Sequence, residues 1–195
     1  MFLGISQALA ILIIAVIFYA MDFFMIHRYD KYRRQQKSGR SWDYTLLMFV
    51  VAALIILQPI FLPQLGLAIT RGWGLAVQAA GLVLAAGALA LHTWARLHLQ
   101  QYYAERVEIL PEHRVIESGP YKWMRHPIIT SFFCLATSFF LINPAVTTLV
   151  LLVYTFWDFG HAARQEEELL SRNLPEYGEY MKRTPRFLPC LLRRR

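Results

Sequence analysis

An all-α integral membrane protein is the fold class this sequence predicts, and three observations predict it. Of the 195 residues, 56% are hydrophobic and only 17% are charged, against about 25% charge in an average soluble domain. Long charge-free runs divide the chain. The 20 Lys and Arg residues, which leave a formal net charge of +7, lie between those runs rather than over one soluble face. The apolar content excludes intrinsic disorder. The placement of the bases speaks for a membrane, with membrane lipids as neighbours and no nucleic acid as partner.

The elements follow from the runs. Phe2 to Met21 is a charge-free run of 20 residues, Tyr44 to Leu62 a second of 19, and Trp73 to Leu91 a third of 19. Each matches the ~20 helical residues that cross a bilayer core. The first lacks a basic leader and has no small-x-small site before Met21, so it reads as a helix of the mature protein. The third is rich in small residues (Ala79, Ala80, Gly81, Ala85, Ala86, Gly87 and Ala88), which let helices approach closely in lipid. The fourth run, Ile128 to Trp157, has 30 residues, too many for one span. Asn143-Pro144 sits in its middle and marks a turn. The prediction is two helices, 126–142 and 145–161, forming a tight hairpin, with a single Pro-kinked helix as the alternative. Both are short for a bilayer, so the hairpin thins the membrane locally or borders an aqueous cavity. The fold is therefore five transmembrane helices with a cytosolic C-terminal helical segment.

Charge orients this arrangement. Residues 27–43 carry six Lys or Arg, 92–127 carry five and 158–195 carry eight, whereas 63–72 carry only Arg71 and the Asn143-Pro144 turn none. With five spans every basic segment falls on one side, which the positive-inside rule makes the cytosol. The N-terminus is then outside and the C-terminus cytosolic, in what reads as a bacterial cytoplasmic membrane. Residues 1–91 form the first three membrane helices, and residues 92–195 the half in which chemistry concentrates.

In that half, Gly119-Pro120 makes a turn, and Pro127 suits the first turn of a helix, where its missing N–H is no loss. This places Arg125 and His126 at the cytosolic mouth of the hairpin, beside the free N–H groups of a helix start. Aromatic and basic residues are also ordinary anchors at the headgroup level. After the fifth span comes His161-Ala-Ala-Arg164-Gln165-Glu166-Glu167-Glu168. If the helix continues, Arg164 and Glu167 share a face and pair, with Glu166 turned ~100° away. Acids are costly in lipid, so these face water, a base or a polar ligand. The six histidines have no spacing that builds a metal site, and no metal is expected. Cys134 and Cys190 have no metal or disulfide spacing either.

The ordered set Gly119-Pro120-Tyr121, Arg125-His126-Pro127, Glu166-Glu167, Tyr177-x-x-Tyr180 and Thr184-Pro185-Arg186-Phe187-Leu188-Pro189 resembles the isoprenylcysteine carboxyl methyltransferase family and its phospholipid-methyltransferase relatives, over residues 92–190. The resemblance implies a cytosol-facing pocket for S-adenosylmethionine and a lipid-like or prenylated substrate that enters from the bilayer. Carried over by position, Tyr121, Arg125, His126, Pro127, Glu166 and Glu167 bind the cofactor, and Arg164, Arg186 and Glu167 are the catalytic residues. The sequence departs from the family where Tyr and Gly usually follow the His-Pro: Ile129 and Ser131 stand there. Leu174-Pro175 stands where Phe-Gly usually precedes the two tyrosines. The function implied is methyl transfer to an isoprenylcysteine carboxylate or similar acceptor. A phospholipid amine N-methyltransferase is the nearest alternative, and an NADPH-dependent membrane reductase or a non-catalytic membrane protein the more distant ones. A carboxylate acceptor needs no general base at pH 7, whereas an amine does.

Overall fold

A computed structural model describes residues 3–29, 42–67, 74–100 and 115–187. Within them the chain forms six α-helices: α1 (Ile5–Tyr29), α2 (Trp42–Phe61), α3 (Gly74–Leu99), α4 (Pro127–Ile142), α5 (Val146–Asn173) and α6 (Pro175–Arg183). Two short 3₁₀ turns, Pro63–Leu65 and Gly119–Lys122, and one isolated bridge between Gly66 and Ala145 complete the described structure. Helices α1, α3 and α5 are each long and apolar enough to cross a membrane. Large apolar side chains face outward along them, among them Ile13, Val16, Val83, Val150 and Val153. That is the pattern of helices solvated by lipid rather than water.

Helix α3 is the centre of the bundle. Its buried residues Gly74, Gln78, Gly81, Ala85, Ala88, His92 and Ala95 recur at alternating steps of four and three, one continuous seam along the helix, with Arg96 buried beside the last of them. Of the small residues expected to pack, Gly81, Ala85 and Ala88 lie on this seam, while Ala79, Ala80, Ala86 and Gly87 face outward. A Cβ at Gly81 would stand 3.0 Å from Ile142 Cγ1 and Leu141 Cβ. Only glycine lets α3 approach the end of α4 so closely.

The turn between α4 and α5 is held by buried amides. Gln7 and Gln78 donate to the Ile142 carbonyl at 3.2 and 3.0 Å, and Asn143 Nδ2 donates to Gln58 Oε1 at 2.7 Å. The Thr148 hydroxyl donates to the Asn143 carbonyl at 2.7 Å, and the Leu67 amide to the Pro144 carbonyl at 2.7 Å. Helices α1, α2 and α3 thus each send one glutamine to the turn, where the last carbonyls of α4 would otherwise be unsatisfied in an apolar interior. From there α5 runs back along α4: Phe133 stacks on Phe156 with ring centroids 4.2 Å apart, and Phe132 lies 4.8 Å from Phe159.

Two helices are longer than the charge-free runs. Helix α3 continues from Leu91 to Leu99 without a break, across the expected boundary between residues 91 and 92. Helix α5 continues past residue 161 to Asn173 and carries Arg164, Glu166 and Glu167 on its extension. Residues 188–195, with Leu188, Pro189 and Cys190, lie outside the described residues, as do residues 30–41 of the basic segment 27–43 and residues 101–114.

Candidate functional site

The chain enters the site through the 3₁₀ turn Gly119–Lys122. Gly119 has φ +59°, and a Cβ there would lie 2.4 Å from the His98 ring, so the turn needs glycine for both conformation and space. Tyr121 is buried against Ala95 and Ile128, and its carbonyl accepts the Tyr180 hydroxyl at 2.6 Å. The chain then passes through Arg125 and His126, and Pro127 opens α4.

A strap of backbone closes over this segment. The Arg125 amide donates to the Pro185 carbonyl at 2.9 Å, and the His126 amide to the Arg186 carbonyl at 3.0 Å. The Thr130 hydroxyl lies 2.9 Å from both the His126 and the Phe187 carbonyl oxygens. Pro185 cannot donate, and Thr184 before it leaves α6 in extended conformation. Thr184 to Phe187 therefore pairs with the chain that enters α4.

Glu167 is at the centre of the cluster, 5% exposed. Its Oε1 accepts from Arg125 Nε at 2.8 Å, from His126 Nε2 at 3.0 Å and from Arg186 Nε at 3.1 Å; Arg186 Nε is also 3.1 Å from Oε2. Arg186 Nη2 adds a second, parallel bond to Oε2, the two-pronged geometry that suits guanidinium to carboxylate. Arg125 also donates from Nη1 to the carbonyls of Met181, at 3.0 Å, and Thr184. It thereby covers the carbonyl end of α6, where a cation is favoured. One carboxylate on α5 thus gathers the entry to α4, the end of α6 and the strap.

Glu166 is placed differently. Its Oε2 is 3.4 Å from His126 Nδ1, and its side chain is 44% exposed. The two nitrogens of His126 therefore face two carboxylates. Burial, the largest single influence, lowers the basicity of the ring, and the hydrogen bonds and charges of Glu166 and Glu167 outweigh it, so its pKa lies above 6.5. Tyr177 and Tyr180 pack together on Leu170 with ring centroids 5.7 Å apart. Burial pushes both phenols well above their ordinary pKa, so they remain protonated donors.

Tyr121, Arg125, His126, Pro127, Glu166, Glu167 and Arg186 are thus in one place. Arg164 is not with them: it is exposed on α5, and Glu167 takes its partners from other segments. The expected Arg164–Glu167 pair is corrected accordingly. Position 164 shares a helix face with 167, but Arg125 and Arg186 supply donors in fixed geometry from the buried side. Thr130, Tyr177, Tyr180 and Thr184 belong to the site as well. Only the last three had a sequence signal, their place in the ordered motif.

Fold and site define an integral-membrane, all-helical protein with a charged cluster where two helices leave the apolar layer. The chain matches the isoprenylcysteine carboxyl methyltransferase family over residues 79–172. It is 35% identical over 83 residues to the human protein-S-isoprenylcysteine O-methyltransferase, covering 40% of this chain and 28% of that one. It is 33% identical over 78 residues to a nickel-cobalt-cadmium resistance protein of Alcaligenes xylosoxydans xylosoxydans, covering 40% and 37%. The matches thus span about a third of these relatives' lengths. In fold the chain is similar to the eukaryotic intramembrane Ras methyltransferase ICMT, with a TM-score of 0.55 and 22% identity over 79% of this chain and 55% of that one.

Proposed function

We propose that the protein is a membrane-embedded S-adenosylmethionine-dependent methyltransferase acting on a lipid-like acceptor, an isoprenylcysteine carboxylate in the first instance. The observation that carries the reading is the Glu167 cluster, built from the family-like positions and closed by the 184–187 strap. In the same reading the chain crosses the bilayer five times, α4 and α5 form a transmembrane hairpin, the N-terminus is outside and the C-terminus cytosolic, and residues 92–195 hold the working site.

The residues present fit the proposed cofactor. Its amine and ribose hydroxyls need an acceptor, its carboxylate a donor, and both must be reachable from a mostly buried cluster. Glu166 and Arg186, with side chains 44% and 35% exposed, offer one of each. When bound, the cofactor supplies an electrophilic methyl group. Glu166 binds through its second oxygen, Oε1, which has no partner among the described residues. Arg186 orients, since its guanidinium is fixed by Glu167. Tyr121, His126 and Pro127 form the wall at the entry to α4, and Arg125 with Glu167 keeps that wall in register with α6. Positioning is the main work of such a site, since well-oriented groups contribute roughly 7–11 kcal/mol of barrier reduction. A carboxylate acceptor makes no demand for a base, and His126, held between two carboxylates, is better suited to structure than to proton abstraction.

Calorimetric titration with S-adenosylhomocysteine, with NADPH in parallel, tests the reading. Micromolar binding of the first and none of the second is expected; selective binding of NADPH would replace the methyltransferase with a reductase.

A further inference from the structure

A second polar cluster lies in the bundle, outside the Glu167 site. His92 and Arg96 of α3 are each 1% exposed, and both face Asp22 of α1. Asp22 Oδ1 is 3.6 Å from His92 Nε2 and 3.5 Å from Arg96 Nε. On its other side, His92 Nδ1 is 3.2 Å from Ser131 Oγ of α4. The Ser131 hydroxyl donates to the Ile128 carbonyl at 2.6 Å, so its oxygen is left to accept from His92. Phe18 and Phe132 pack on the His92 ring at 4.8 and 5.5 Å and shield the group. Ionisable residues among apolar helices are expensive and are kept where they do something.

The two hydroxyls of the first turns of α4 divide the work. Thr130 ties the His126 carbonyl to the strap, and Ser131 ties the Ile128 carbonyl to His92. The segment bearing Arg125, His126 and Pro127 is therefore pinned from two sides, and the second pin ends on α1. We propose that Asp22, His92 and Ser131 are positioning residues for His126: a relay from α1 through α3 to α4 that sets the start of α4, and with it the ring between Glu166 and Glu167. Helix α1, which lies before the family-matching segment, is then a working part of the site and more than an anchor.

The test uses the full chain in detergent with isotope-labelled histidine, the His126 ring signals being assigned by their loss in His126→Gln. Asp22→Asn and Ser131→Ala shift the His126 signals, and Ser131→Thr, which keeps the hydroxyl, returns them toward the native position. Gln78→Ala, at the far end of α3, lowers the melting temperature and leaves them unmoved. An unmoved His126 in both Asp22→Asn and Ser131→Ala would overturn the inference and leave the cluster as bundle packing. The second readout rests on the proposed function: S-adenosylhomocysteine affinity falls about three- to tenfold in Ser131→Ala, as for one lost buried hydrogen bond, and recovers in Ser131→Thr. A native protein that binds no S-adenosylhomocysteine would count against the proposed function alone, because the His126 signals decide the relay without it.

Discussion

Glu166 and Glu167 are neighbours with different resources. Glu167 already accepts from two guanidinium groups and the His126 ring, and removing it strands Arg125 and Arg186 in a mostly buried place. Breaking a buried ion pair from one side costs roughly 3–5 kcal/mol, so Glu167→Ala should lower the melting temperature in detergent sharply, even without ligand. Glu166→Gln removes no such centre. It should melt close to the native protein and lose about tenfold or more in S-adenosylhomocysteine affinity, as for a hydrogen bond to a charged group. His126 predicts a pH dependence. Its pKa in the folded protein is raised above 6.5, so its contribution to stability is complete below about pH 6.5. The contribution is lost as pH rises through the raised value. Melting temperatures followed from pH 6 upward should therefore fall more in the native protein than in His126→Gln; parallel curves would contradict this. None of these partnerships was legible from local spacing. Arg125 and Arg186 lie 42 and 19 residues from Glu167, while the three-residue rule pointed to Arg164.

Among the helices, what was legible was apolar length, and what was not was where polar residues let a helix continue. The spans read from the sequence end at Met21 and Leu91, each one residue before a member of the second cluster, Asp22 and His92. Run length therefore cut α1 and α3 short at the point where they become informative. The Asn143-Pro144 turn was legible because Pro stops α4 and no charge competes. The glutamines that hold it, Gln7, Gln58 and Gln78, were not, because single amides scattered over three runs give no pattern. The small-residue stripe was half legible: density marked α3 as a packing helix, but only the seam through Gly81, Ala85 and Ala88 packs. At Gly81 a Val must displace the backbone and side chain of Ile142. Gly81→Val is expected to cost about 1–3 kcal/mol by overpacking, read as a lower melting temperature. Gly87→Val, where a Cβ meets nothing within 4 Å, should be nearly silent.

At the scale of the molecule, the proposed five crossings would put both charged clusters at the cytosolic face and the amide-bound turn at the other. Single cysteines in a background lacking Cys134 and Cys190 test this in sealed vesicles. Arg28→Cys and Arg164→Cys should react from the same side, and Gln64→Cys from the opposite one; reaction of all three from one side would contradict the five-span arrangement. The most direct test of the central claim is calorimetric titration of the purified, folded protein with S-adenosylhomocysteine. Micromolar binding is expected, weakened about tenfold or more in Glu166→Gln at unchanged melting temperature. No binding by a native protein that melts cooperatively would contradict it.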